Sequence, residues 1–307
     1  MTLDLGKEAL ASFLQAPIEE VEYTLLEAGL DENSVLKGTY QEKSYVVKCF
    51  NSASKGICEI AWTKHANDLG IGALLYDADL TGRYLMMEFV EGRSMDPVLA
   101  NDPVFLKKLA QNVKKLHQSS IPTAEKIDLF SGIEEKFRAL KCEGELAQLL
   151  EFLNLQVKSG ETAVRSIQVP CHNDLNPRNL FFNKGRVIIV DWGDAVLSNP
   201  YYDIATFFVL NIIEEKARDL FLKEYNKELI ASSWKEYFHQ LEQIVLFEFA
   251  LNLFLCVQEG GELGFLKNPL RKTKSLSHYL SLFARGEQEV DSAFLYGMGL
   301  AALRCIQ

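Results

Sequence analysis

The apolar and polar positions of the first ninety residues predict a small antiparallel sheet. Helical spacing marks an opening segment, Lys7–Leu14, and a second helix, Glu59–Leu69, which Gly70 is placed to end. Short apolar runs between polar turns are typical of strands. The five predicted strands are residues 21–26, Val35–Lys37, Tyr45–Phe50, Ala73–Asp77 and Tyr84–Val90.

After residue 90 the pattern becomes helical. Asp102 is a good N-cap with Pro103 behind it, and the apolar positions that follow are spaced three or four apart. The other predicted helices are Glu134–Val157, Glu214–Phe238, Gln240–Gln258 and Ser292–Arg304. One short β signal, between Asn179 and Asp191, interrupts them. We therefore divide the chain into an N-terminal lobe, 1–90, and a helical C-terminal lobe, 91–307.

Composition narrows the classes of function. The net charge of −10, from 32 basic and 42 acidic residues, argues against a nucleic-acid or anionic-membrane partner and favours a cationic small molecule. Six scattered cysteines and an acidic N-terminus without an apolar segment predict a cytoplasmic protein. The most apolar stretch, Ile244–Val257, is shorter than the roughly 20 residues that span a bilayer, and we interpret it as a buried helix.

A hairpin is predicted in the middle of the chain, where two apolar runs flank a polar turn with glycine. If Phe182 pairs with Val187, the antiparallel ladder puts Asn179 opposite Val190. Asn179 and Asp191 then reach the same end of this hairpin.

Asp174 precedes Asn179 by five residues, in the loop that leads to that end of the hairpin. Two carboxylates, from Asp174 and Asp191, and the amide oxygen of Asn179 therefore converge. Oxygen ligands of this kind suit Mg²⁺ with phosphate oxygens completing its coordination.

A second pair of charges is predicted in the N-terminal lobe. Lys48 shares a strand face with the apolar Val46 and Phe50, so its ammonium needs an acceptor to offset desolvation. Glu59, on the following helix, is the obvious carboxylate.

These motifs resemble those of the kinase-like phosphotransferases. His-x-Asp at 172–174, the Asn five residues after the Asp, and a strand ending in Asp-Trp-Gly at 191–193 are similar to the choline/ethanolamine kinase and aminoglycoside phosphotransferase superfamily. Cys171-His-Asn-Asp-Leu175 is nearer to the choline/ethanolamine branch. The resemblance implies an α+β, protein-kinase-like bilobal fold, with a small antiparallel sheet and one helix in the N-lobe and a larger, mainly helical C-lobe.

The resemblance also implies roles for the loop residues. Asp174 is expected to be the catalytic base, and Asn179 and Asp191 the magnesium ligands. His172 is expected to hold the loop, with Asp203 bracing it. We interpret the other histidines as helix-face residues, namely His65, His117, His239 and His278.

The nucleotide site is implied in the same way. Lys48, held by Glu59, is expected to grip the phosphates of ATP. Residues 86–92 correspond to the hinge that binds adenine, and the polar turn 29–34 to the segment that covers the phosphates. The residues assigned to nucleotide binding are Lys48, Asn33, Ser34, Glu88, Phe89 and Val90.

The acceptor is expected to be small, because Asp-Trp-Gly runs into 201–205 without the longer activation segment of protein kinases. An amine-bearing acceptor would be met by carboxylates and aromatic rings, for which we name Asp194 and Trp234. Gly193-Asp194 departs from the Glu-Tyr that choline kinases tend to carry there.

Several alternatives stay open on the sequence. The acceptor is predicted to be choline- or ethanolamine-like, but thiamine, an amino sugar, an aminoglycoside or a protein remains possible. A pseudokinase that only binds or scaffolds is the alternative of another class. The predicted cofactors are ATP and Mg²⁺.

Overall fold

The computed structural model describes residues 2–26, 33–121, 128–159, 167–230, 232–267, 273–285 and 290–306. The chain divides into two compact units, residues 1–93 with 179–195, and residues 94–178 with 196–307. The sequence-based division at residue 90 differs mainly in 179–195. This segment joins the first unit because the Ile189 N–H donates to the Ile71 carbonyl at 2.9 Å, and Ile189 also bridges to Gly72.

The strands are short, as expected from the alternating pattern. They are β1 (Glu22–Leu26), β2 (Ser34–Tyr40), β3 (Lys43–Cys49), β4 (Leu75–Ala78), β5 (Tyr84–Glu88), β6 (Arg93–Ser94), β7 (Val169–Cys171), β8 (Leu180–Asn183), β9 (Arg186–Ile189) and β10 (Val196–Ser198). The first five form one antiparallel sheet in the order β1-β2-β3-β5-β4, which confirms the predicted sheet of the N-terminal region.

The helices are α1 (Thr2–Leu14), α2 (Ala53–Asp68), α3 (Pro103–His117), α4 (Leu129–Ala139), α5 (Gly144–Ser159), α6 (Pro200–Leu210), α7 (Glu215–Asn226), α8 (Ser232–Glu259), α9 (Leu263–Lys267), α10 (Leu276–Arg285) and α11 (Ser292–Leu303). In the first unit, α1 packs Leu10 against Leu36, Val47 and Met86 of the sheet. Helices α3 to α11 make the second unit mainly helical, as predicted.

Two helix predictions were wrong. The segment predicted as one helix, Glu134–Val157, is two, because polar residues interrupt it and Gly144 adopts a left-handed φ of +68°. The segment predicted as one helix, Glu214–Phe238, contains α7, which ends at Asn226, and the first part of α8. Helix α8 continues without a break across the boundary that was predicted between Phe238 and Gln240. Neither Gly nor Pro occurs in α8, so nothing in its sequence ends the helix there. Helices α6, α9 and α10 were not predicted.

The apolar stretch at Ile244–Val257 is part of α8, which is longer than predicted. Within the described residues, Trp234–Glu259 is the one helix of 18 or more residues that is long and apolar enough to cross a membrane. In the fold, 56% of its most apolar window is buried, and Leu251 and Phe254 are fully enclosed. Such burial is typical of a core helix.

The hairpin β8–β9 has the predicted register. Phe182 pairs with Val187, and the Val190 N–H donates to the Asn179 carbonyl at 3.0 Å. Lys184 and Gly185 at the tip have φ values of +47° and +78°, as in a type I′ turn, whose twist matches that of the strands.

The turn before β5 depends on a glycine that touches α2. Gly82 has φ +82°, and a Cβ there would lie 2.1 Å from the carbonyl oxygen of Ala53. Gly70 also has a positive φ, +68°, but its Cβ would meet open space.

We expect Gly82→Ala to lower the free energy of unfolding by at least about 1 kcal/mol more than Gly70→Ala, which carries only the backbone strain. Urea unfolding of both variants measures this difference, and equal losses would contradict it.

Candidate active site

Lys48 lies at the centre of the site in the first unit. It sits on β3, an inner strand of the sheet, and its side chain is only 7% exposed. The ammonium is 2.8 Å from Oε1 of Glu59 on α2 and 2.8 Å from Oδ1 of Asp191, which follows the hairpin. One cation therefore joins the sheet, a helix and the hairpin.

The charge of Lys48 is stabilised by these two carboxylates. Burial by itself would lower the pKa of Lys48, but the charges of Asp191 and Glu59 and their hydrogen bonds outweigh it and raise the pKa above its usual value. Lys48 is therefore a permanent cation at physiological pH.

Asn179 and Asp191 meet at the end of the hairpin. The bond between the Val190 N–H and the Asn179 carbonyl brings the two residues to the same end. The Asp191 side chain is 48% exposed, and Trp192 behind it is buried and donates its ring N–H to the Ile189 carbonyl at 3.2 Å. The carboxylate of Asp191 and the amide oxygen of Asn179 are ligand types that Mg²⁺ prefers.

In the second unit, Asp203 of α6 holds the loop that contains Asp174. The buried carboxylate of Asp203 accepts the backbone N–H groups of His172 at 3.0 Å and of Asn173 at 2.8 Å. It also bonds with Nε2 of His117 at 3.0 Å. Three donors thus converge on one carboxylate.

Asp174 is positioned by its own neighbours. Its backbone N–H donates to Nδ1 of His172 at 3.2 Å, so this ring nitrogen acts as an acceptor. One carboxylate oxygen of Asp174 accepts the side-chain amide of Asn176 at 2.8 Å. Asp174 is half-buried, so the carboxylate is oriented but still accessible, as a general base requires.

His117 belongs to the hydrogen bonding around Asp203, a place that the sequence interpretation did not give it. It is buried, and its Nδ1 lies 2.8 Å from the hydroxyl of Tyr225, which extends the chain of hydrogen bonds from Asp203 to α7. The signal was available, because His117 follows Val113 by four positions and so belongs to the buried face of α3.

The fold also gathers His117, Cys171 and Asp203, whose ligand atoms lie within 4.8 Å of one another. These residue types can bind zinc. The Cys171 thiol, however, donates to the Ser198 carbonyl at 3.4 Å, and the two ring nitrogens of His117 bond with Tyr225 and Asp203. The group therefore fits a hydrogen-bonded support better than a metal centre.

The predicted nucleotide-binding residues lie around β2, β3 and β5. Oδ1 of Asn33 accepts the Asn51 N–H at 3.2 Å, and Ser34 begins β2. Glu88 and Phe89 donate their backbone N–H groups to Leu74 and Ser44 inside the sheet. Val90 follows β5, and residues 29–32 of the predicted phosphate-covering turn lie outside the described residues.

The two residues named for the acceptor lie in different units. Asp194 is exposed after the Asp-Trp-Gly turn. Trp234 is half-buried on α8, with its ring centroid 4.8 Å from that of Tyr201 and 5.4 Å from that of Tyr237. These aromatic rings pack edge-on or tilted against one another.

We expect Lys48→Met to destabilise the protein by about 3 kcal/mol, because the buried Glu59 carboxylate loses its cation. The double variant Lys48→Met/Glu59→Gln should recover part of that loss. Lys235→Met is the control, since its ion pair with Glu215 is exposed and should contribute nothing measurable. Urea unfolding tests this series, and equal losses in Lys48→Met and Lys235→Met would contradict it.

We also expect Asp203 to make stability depend on pH. Burial would raise the pKa of Asp203, but its bonds with His117 and the His172 backbone outweigh burial and lower it. The stabilisation should therefore be complete above the unfolded pKa of about 4 and be lost as the pH falls through the lower folded value. Asp203→Asn should lack this component, so its difference in unfolding free energy from the wild type should shrink below about pH 4. A difference that stays constant in acid would refute this.

Comparison with known proteins identifies the family. Residues 22–237 match the phosphotransferase enzyme family, so the chain belongs to that family. Protein LicA of Haemophilus influenzae is 25% identical over 136 residues, which are 43% of this chain and 40% of LicA. The chain thus spans less than half the length of that relative.

Solved structures of kinases share the fold along the whole chain. A choline/ethanolamine kinase family protein from Mesorhizobium loti has a TM-score of 0.68 at 16% identity, covering 99% of this chain and 100% of that one. Choline kinase LicA from Streptococcus pneumoniae has a TM-score of 0.65 at 18% identity, covering 98% of both chains. Aminoglycoside phosphotransferases match as well. The resemblance and the fold class inferred from the sequence are confirmed.

Proposed function

We propose that this phosphotransferase transfers the γ-phosphate of ATP, with Mg²⁺, to a hydroxyl of a small amine-bearing metabolite of the choline or ethanolamine class. The observation that carries the proposal is the Lys48 ammonium held 2.8 Å from both Glu59 and Asp191. A cation fixed beside the Asp-Trp-Gly carboxylate is what a site for nucleotide phosphates needs.

On the donor side, Lys48 binds the phosphates and Glu59 keeps it in place. The N–H groups of Glu88 and Phe89 are engaged in the sheet, so Val90 is our candidate for the backbone donor to adenine. Solved structures with this fold include LicA in complex with AMP and a spectinomycin phosphotransferase in complex with ADP, which supports a nucleotide donor.

Asn179 and Asp191 are the residues that would hold Mg²⁺, through an amide and a carboxylate oxygen. The ion would neutralise charge on the phosphate oxygens during transfer. Asp191 keeps its contact with Lys48 through Oδ1, which aligns the carboxylate.

Asp174 is proposed as the general base. It accepts the proton of the acceptor hydroxyl while that oxygen forms its bond to the γ-phosphorus and the bond to the β-phosphate oxygen breaks. The products are a phosphate ester and ADP. His172 and Asn176 orient the loop and the carboxylate during this step.

Net charge and aromatic residues support a cationic acceptor. The chain carries a charge of −10, and Trp234, Tyr201 and Tyr237 offer aromatic faces of the kind that bind ammonium groups. Aminoglycosides are the second candidate, because aminoglycoside phosphotransferases share the fold over nearly the whole chain.

ATP consumption tests the proposal against a panel of choline, ethanolamine, thiamine, aminoglycosides and amino sugars. We expect one class of acceptor to be phosphorylated, and Asp174→Ala to lower kcat at least about 1000-fold while ATP affinity changes little, because the base does not touch the nucleotide.

Asp174→Asn is the matched control for shape, since it keeps the size and the Asn176 contact but not the basicity. Turnover in Asp174→Asn close to the wild type would exclude the assigned role. Silence across the panel together with failure to bind Mg·ATP would instead support the pseudokinase alternative.

A further inference from the structure

Asn211, which follows α6, contacts the loop that carries Asp174. Its side-chain nitrogen donates to the carbonyl of Leu175 at 2.7 Å and to the carbonyl of Phe207 at 2.8 Å. Asn211 is 9% exposed, and both acceptors belong to fully buried residues. One amide group thus joins the last turn of α6 to the residue after Asp174.

The chemistry of these contacts requires an asparagine-type donor. Both neighbours are carbonyl oxygens, which only accept, so the nitrogen and not the oxygen of the amide must face them. A carboxylate of the same shape would place its oxygen against two other oxygens. A substitution of Asn211 by Asp therefore separates the effect of the hydrogen bonds from the effect of packing.

Helix α6 holds the loop on both sides of Asp174. Asp203, near its start, accepts the N–H groups of His172 and Asn173, and Asn211, at its end, donates to Leu175. The two attachment residues are eight positions apart in sequence, about 12 Å along a helix. The backbone around Asp174 is therefore fixed to one rigid element.

The loop needs such support because its backbone is strained. Asn173, directly before Asp174, has φ +62°, a left-handed conformation that Asn tolerates better than other non-glycine residues but that is still less favourable than a right-handed one. Bonds on only one side of Asp174 would leave the following peptide free to relax the strain and rotate the carboxylate.

We propose that Asn211 is a positioning residue for the reaction, which acts through Leu175 to fix the orientation of the Asp174 carboxylate. This inference rests on the proposed function, because it takes Asp174 to be the base.

Kinetics of Asn211 variants test it. Asn211→Ala should lower kcat about 10- to 100-fold, the range expected when a catalytic group is displaced by about 1 Å, while the KM for ATP stays within about twofold. Asn211→Asp should be at least as impaired although it conserves the shape. A role in packing alone predicts near-normal turnover in Asn211→Asp and would overturn the proposal.

Asn154→Ala is the matched control. Asn154 is also a buried asparagine of the second unit, on α5, where its side chain bonds with Glu134. The variant Asn154→Ala should lose stability but keep its turnover per molecule that binds ATP. Comparing it with Asn211→Ala separates the effect of unfolding from the effect of a misplaced base.

Hydrogen exchange gives a test that does not need activity. Amides of the segment 171–178 should exchange at least about tenfold faster in Asn211→Ala than in the wild type or in Asn154→Ala, since the loop loses one of its two attachments. Unchanged exchange would overturn the inference. A wild type without Asp174-dependent turnover would overturn the proposed function, and normal turnover in Asn211→Ala would overturn this inference alone.

Discussion

The buried ammonium of Lys48 constrains the whole first unit. A charge taken out of water must be matched by opposite charge at close range, and here the two carboxylates come from α2 and from a hairpin 143 residues away in sequence. The register of β3, the position of α2 and the docking of the hairpin must all agree to within a hydrogen-bond length. The bond of Lys48 with Asp191 adds to the backbone contacts of Ile189 that place the segment 179–195 in this unit.

The second unit also buries a charged group, but here the charge is negative. Asp203 is a buried anion, and its partners are backbone N–H groups and the imidazole of His117 instead of a lysine. Such partners fix the course of the backbone. The loop is held through its main chain, which leaves the half-buried Asp174 side chain available for the role proposed for it.

Local rules predicted the parts of the site that lie close in sequence. The hairpin register follows from residue pairing in an antiparallel ladder around a two-residue turn. The Lys48–Glu59 pair follows from a lysine on an apolar strand face, which needs an acceptor. The roles of His117 and Asn211 depend on the placement of α6, a helix that the pattern did not reveal because its residues are almost all buried and show little periodicity. The break between α4 and α5 was missed because a left-handed glycine is visible only in the backbone.

Each unit has a residue with a left-handed backbone in or next to the candidate site. Asn173 and Asp191 have φ values of +62° and +63°, which Asn and Asp tolerate better than other non-glycine residues. In each case a charge-assisted bond offsets the strain. The Asn173 N–H donates to the buried Asp203 carboxylate, and the Lys48 ammonium donates to the Asp191 carboxylate. Because the bonds that offset the strain also orient the site, loss of either partner changes the geometry of the site as well as the stability of the fold.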